Sequence, residues 1–207
     1  MKTNFLLYGK LVILAILFVV ANSCKSYIKL KHGITNPHEE TPGSLITFLE
    51  KQNFPTQNLY MFSDSSTYCN ALRNDIFRKN ILSHLIFDRK GNLTYRDTTK
   101  CQWAGYNLIC ALHPDSIYLT TNELTVNEVL EKIVPFGLVN GKNTGDASPD
   151  FTIIVTWAKF LGKYNYRLFD LEGALKENKN AKIRLIWLNI DMQKSWHLKP
   201  SQKMSFK

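Results

Sequence analysis

Apolar positions fall into three patterns along this chain, and each predicts a different structure. Leu11 to Ala21 (LVILAILFVVA) is one uninterrupted apolar run. Phe151 to Trp157 (FTIIVTW) and Ile183 to Ile190 (IRLIWLNI) are shorter continuous runs. Runs of that length, rich in β-branched and aromatic residues, predict strands buried on both faces. Between them, Tyr164, Leu168, Leu171 and Leu175 recur at helical spacing. Strand, helix and strand in that order predict a right-handed crossover with parallel strands.

The middle of the chain reads less regularly. Leu45, Ile46, Phe48 and Leu49 predict a short first helix, and Asn58 to Phe62 a strand. Tyr68, Leu72, Ile76 and Phe77 fall on one face of a helix from Thr67 to Lys79. Leu85–Phe87 and Leu93–Arg96 flank Asp88 to Asn92, where Gly91 and Asn92 tolerate a tight turn, so a hairpin is expected. Lys100 to Thr121 suggests one or two irregular strands. Thr125-Val126-Asn127-Glu128 has the form of a capping box. Val126, Val129, Leu130 and Ile133 would give that helix its apolar stripe, with Pro135 and Gly137 ending it. Gly141 to Pro149 reads as a loop. Periodicity alone therefore gives one α/β domain from residue 44 to 207.

Charge changes the reading only at the amino end. The chain has 26 Lys and Arg against 17 Asp and Glu, a formal charge of +9. The lysines are scattered, which speaks for a solvated surface and against a nucleic-acid partner. Lys2 and Lys10, the Leu11–Ala21 run and the small residues near Ser23 compose a secretory signal over residues 1–23. The run is short of the ~20 residues needed to span a bilayer.

Cys24 at the end of that signal resembles the lipobox of bacterial lipoproteins, in which the Cys is diacylated and becomes the first mature residue. Ala21 stands where Leu is usual, and Asn22 is larger than the common residue there. The alternative is a plainly cleaved signal with Cys24 as an ordinary thiol. The resemblance implies a lipid anchor at Cys24 and a polar tether over residues 24–43. The location it implies is the cell envelope, at the outer membrane facing the periplasm, since Lys25 rather than Asp follows.

A second resemblance lies in the crossover. Thr156-Trp157-Ala158-Lys159-Phe160-Leu161-Gly162-Lys163-Tyr164 is similar to the Phe-Trp-Ala-x-Trp-Cys-x-x-Cys stretch of thioredoxin-like domains. Leu161 and Tyr164 stand where the two cysteines would be, with Gly162 and Lys163 between them. Leu185 to Asp191 resembles the family's next strand, which often ends Asn-x-Asp. Ile81 to Leu93 resembles its hairpin, with Ser83 in the place of the cis-proline. That hairpin comes early in this chain, and the helix at Thr125 would be the final one. The resemblance therefore implies a thioredoxin-like mixed sheet with flanking helices, permuted or elaborated.

Thiol–disulfide exchange needs an attacking thiolate and usually a resolving thiol. Leu161 and Tyr164 supply neither. The resemblance then implies a redox-inactive domain with a binding or scaffolding role toward an envelope protein or peptide, and no cofactor. Cys101 and Cys110 flank a short segment and are expected as a structural disulfide, since exported thiols tend to oxidise. The alternative function is a periplasmic thiol oxidoreductase using Cys101 and Cys110, or Cys69. Trp157, Arg167 and Asp191 are candidates for a pocket at the strand ends, where open α/β sheets bind ligands. The five histidines show no metal-ligand spacing, and no catalytic residue is assigned.

Overall fold

The computed structural model describes residues 29–73, 84–96, 104–136 and 148–204. In chain order the elements are β1 (Glu39–Glu40), α1 (Pro42–Lys51), β2 (Leu59–Phe62), α2 (Ser65–Arg73), β3 (His84–Asp88) and β4 (Asn92–Arg96). Then come α3 (Ala104–Ala111), β5 (Thr121–Thr125), α4 (Val126–Leu130) and β6 (Ile133–Pro135). The last are β7 (Phe151–Trp157), α5 (Tyr164–Phe169), α6 (Leu171–Glu177), β8 (Ile183–Asn189) and β9 (Met192–Gln193).

Seven strands form one mixed sheet in the order β5-β4-β3-β7-β8-β2-β6. The two continuous apolar runs pair in parallel, Phe151 opposite Ile183 through Trp157 opposite Asn189. Every residue of β7 is buried, which explains why that strand shows no polar alternation. The β3–β4 hairpin lies antiparallel on its other side, with Leu85 opposite Ile154. β2 extends the sheet in parallel beyond β8. The fold is thus the expected α/β mixed sheet, compatible with a thioredoxin-like arrangement. Its hairpin precedes the crossover in sequence.

Successive β7 residues feed two cores. Ile154 and, just past the strand, Ala158 join Phe62, Tyr68, Val129 and Ile190 on the face covered by α2 and α4. Ile153, Val155 and Trp157 join Leu45, Ile109, Leu168 and Ala174 on the face covered by α1, α3, α5 and α6. α1 starts at a capping box in which Thr41 accepts from the Ser44 amide.

Several expectations are corrected. Ala104–Ala111 is a helix rather than irregular strand. Tyr106, Ile109 and Leu112 carry its core contacts at helical spacing, and Gly105 lets it approach the His84 ring, 3.3 Å from where a Cβ would stand. Thr125 and Glu128 form their capping box, but the helix ends at Leu130. Ile133 belongs to β6 instead, opposite Phe62. The crossover helix is divided at Asp170 into α5 and α6. Residues 29–43, expected within a tether, pack on the domain. Glu39 and Glu40 pair in parallel with Met192 and Gln193. Cys24, Ser83, Cys101 and the 74–79 part of the second helix lie outside the described residues.

Candidate functional site

Among the described residues, buried Asn165, Asn189, Asp191 and Gln193 gather at the carboxyl ends of β7 and β8. After Trp157 the chain makes a 3-10 turn over Lys159–Leu161 and enters α5 at Tyr164. Buried Asn165 splints this turn. Its Oδ1 accepts from the Ala158 amide at 3.3 Å, and its Nδ2 donates to the carbonyls of Ala158 at 2.7 Å and Gly162 at 3.0 Å.

A segment of the chain's own amino end is laid across this turn. The Thr35 amide donates to the Phe160 carbonyl at 2.9 Å, and the Lys163 amide to the His32 carbonyl at 2.8 Å. The His32 and Tyr164 rings meet at 4.4 Å. Further along, Lys159 Nζ pairs with Glu40 Oε2 at 2.8 Å and Lys203 Nζ with Glu39 Oε2 at 2.9 Å. Gly162 makes this close passage possible. Its φ is +54° and ψ is −126°, a backbone region open essentially to glycine. A Cβ there would stand 2.4 Å from the Gly33 carbonyl oxygen and 2.5 Å from that of His32.

Beneath the strap lies Asp191, 1% exposed. Its Oδ2 accepts from the Lys159 amide at 2.6 Å and from Asn189 Nδ2 at 2.8 Å. Burial pushes its carboxyl up to about 6, with Glu40's charge adding to the rise and the two hydrogen bonds opposing it. Gln193 is fully buried, and its Nε2 donates to Asn189 Oδ1 and to the Asp191 carbonyl. Among the described residues, Asp191 Oδ1, Gln193 Oε1 and Tyr68 Oη are buried without a hydrogen-bond partner. Burial raises the Tyr68 hydroxyl too, with Asp191 contributing.

The sequence candidates divide as follows. Leu161 is 7% exposed and Phe160 3%, so the position expected of an attacking thiol holds a buried hydrocarbon. Tyr164 is half-buried against His32, and Lys163 is exposed. Trp157 lies among Phe136 and Phe169 in the core opposite Tyr68. It is therefore not brought into a common pocket with Asp191. Arg167 lies on α5, and its side chain falls outside the described residues. Asn189, Gln193, Tyr68 and Glu40 were missed. The available signal was the alternation Asn189-x-Asp191-x-Gln193, polar residues leaving an otherwise apolar run.

Among the described residues, Cys69 and Cys110 do not form a centre, and the expected partner Cys101 lies outside them. Cys69 and Cys110 are free, and they serve cores on opposite faces of the sheet. Cys110 Sγ lies 3.5 Å from Glu177 Oε2. Desolvation and that carboxylate raise its thiol, which works against a thiolate. Among the described residues no group of His, Cys, Asp and Glu is placed to hold a metal ion.

At the opposite end of the sheet a concavity of about 360 Å³ is lined by Arg89, Ser116, Tyr118, Thr120, Asp150 and Phe151. Arg89 pairs with Asp150. Ile117 and Leu119 project beside it, 99% and 90% exposed.

No family model matches this sequence, and neither curated proteins nor solved structures show a significant match to it.

Proposed function

We propose that this protein is an envelope lipoprotein, anchored through acylated Cys24, whose thioredoxin-like domain acts by binding rather than by thiol chemistry. The observation that carries the second half is Leu161. At the position where the resemblance calls for a nucleophilic sulfur, a buried leucine lies under the chain's own strap. A leucine cannot attack a disulfide. The strap also occupies the strand ends where an extended peptide substrate would be expected. The signal at residues 1–23 and the cysteine that follows it support the anchor. Among the described residues no helix is long and apolar enough to cross a membrane.

The binding reading also draws on the exposed side chains of Ile117 and Leu119 beside the Arg89–Asp150 concavity. Apolar side chains grouped at a rim are a common mark of a contact surface.

The test is a disulfide-reduction assay on protein extracted from membranes, with a dithiol reductant and a peptide disulfide as substrate. The expected result is no turnover above reductant alone. Turnover abolished by Cys101→Ser or Cys110→Ser would replace this reading with the oxidoreductase one.

A further inference from the structure

We infer that the helical residues 29–32 and the turn at Gly33, together with Lys163, form a membrane-contact face that docks on anionic phospholipid. The inference deepens the proposed function and rests on its lipid anchor.

Covalent reach comes first. Five peptide bonds separate Cys24 from Lys29, so however those residues are arranged the two Cα atoms stand at most about 18 Å apart. Lys29 is not on a free tether. Its carbonyl accepts from the Ile34 amide at 2.9 Å, and the next residues are fixed by the His32–Lys163 and Thr35–Phe160 backbone bonds. The β1–β9 pairing follows directly. An acylated Cys24 therefore holds this end of the sheet against the bilayer.

The chemistry of the face fits that place. Lys29, Leu30 and Lys31 are all exposed, and Leu30 is 84% exposed. Lys163 is exposed where the strap crosses the α5 turn. A protruding Leu between two lysines suits the headgroup boundary. The hydrocarbon enters the interface, and the ammonium groups remain among the phosphates. Lysines close to an anionic leaflet attract it by roughly fivefold in partition each.

The experiment uses protein purified from membranes and placed in vesicles of phosphatidylcholine, alone or with phosphatidylglycerol. Leu30→Trp is compared with wild type, and the difference fluorescence is read for quenching by brominated lipid. The expected result is a blue-shifted, quenched difference signal in phosphatidylglycerol vesicles. Adding Lys29→Glu and Lys31→Glu should lower that quenching at least threefold while the circular dichroism stays unchanged. A difference signal that is water-like and unquenched in both vesicle types overturns the inference. Intact mass on the same sample reports the anchor separately. If acyl chains are present and quenching is absent, only the contact face fails. If acyl chains are absent, the anchor reading fails. Sedimentation with phosphatidylglycerol vesicles then decides the face: charge-dependent binding upholds it, and no binding overturns it.

Discussion

The amide of Lys163 donates to the carbonyl of His32 at 2.8 Å, across 131 residues of sequence. That bond joins the amino-terminal strap to the turn where a thioredoxin-like domain would carry its thiols. It is reinforced by the Thr35–Phe160 bond and by the two Lys–Glu pairs. The strap lies over the Leu161 turn, and the residue between Leu161 and Lys163 is the glycine that permits it.

Gly162→Ala is expected to dislodge the strap. The substitution strains a φ of +54° and drives a methyl group into two backbone carbonyls. Thermal unfolding should show a loss of at least about 2 kcal/mol. Hydrogen exchange should rise at the amides of Thr35 and Lys163 before the core opens. Unchanged exchange at both amides would show that the contact is not as described.

Asp191→Asn is expected to stabilise the protein at neutral pH. In the folded chain the carboxyl is raised to about 6 by burial, against about 3.9 when unfolded. The folded state thus binds the proton more tightly. Asp191's contribution is fully present below about pH 4 and is lost as pH rises through about 6. An asparagine keeps an oxygen for the Lys159 amide and Asn189, and removes a buried charge. The gain at pH 7.5 should be on the order of 2 kcal/mol and should vanish below pH 4. Denaturant melts across that range check it, and a wild type more stable at pH 7.5 would contradict it.

Asp150 works in the opposite sense. Its carboxylate is held below the usual range by the Lys182 amide and by Arg89. It joins the start of β7 to the residue before β8 at 2.8 Å. The stability it contributes is present above about pH 4 and is lost as pH falls through its lowered value. Asp150→Ala should cost about 1–2 kcal/mol at pH 7 and less in strong acid, read from the same melts.

Asn178→Ala should cost about 2–4 kcal/mol without touching the strap. The buried amide donates to the carbonyls of Ile109 at 2.7 Å and Leu112 at 2.9 Å. Its oxygen accepts from the amides of Asn180 and Ala181. Removing it takes a donor from the Leu112 carbonyl and one of two from the Ile109 carbonyl, which also accepts from the Leu112 amide at 3.3 Å. A shift in the denaturant midpoint with an unchanged slope is the expected signature.

The parts of the fold that the pattern made legible are those whose burial is uniform. β7 and β8 read as strands because both faces are covered, and Thr125 announced α4 through its cap. α3 was missed because Gly105 and the aromatic Tyr106 mask a helix that depends on tertiary contact with the sheet. Ile133 was assigned to the wrong element because one apolar residue fits a helical stripe and a strand equally well. The strap was illegible for a different reason. Its residues are polar and docked by backbone hydrogen bonds, which leave no mark on side-chain pattern. Trp157 was expected in a pocket because it ends its strand, but alternation along β7 sends it into the core with Ile153 and Val155.

The most direct test of the account is the intact mass of the protein extracted from membranes, taken with and without reductant after alkylation of free thiols. The account predicts a chain that begins at Cys24, carries acyl mass, and reduces no peptide disulfide in the same preparation. A lipid-free mature chain, or an acylated one that turns over disulfides, would contradict it.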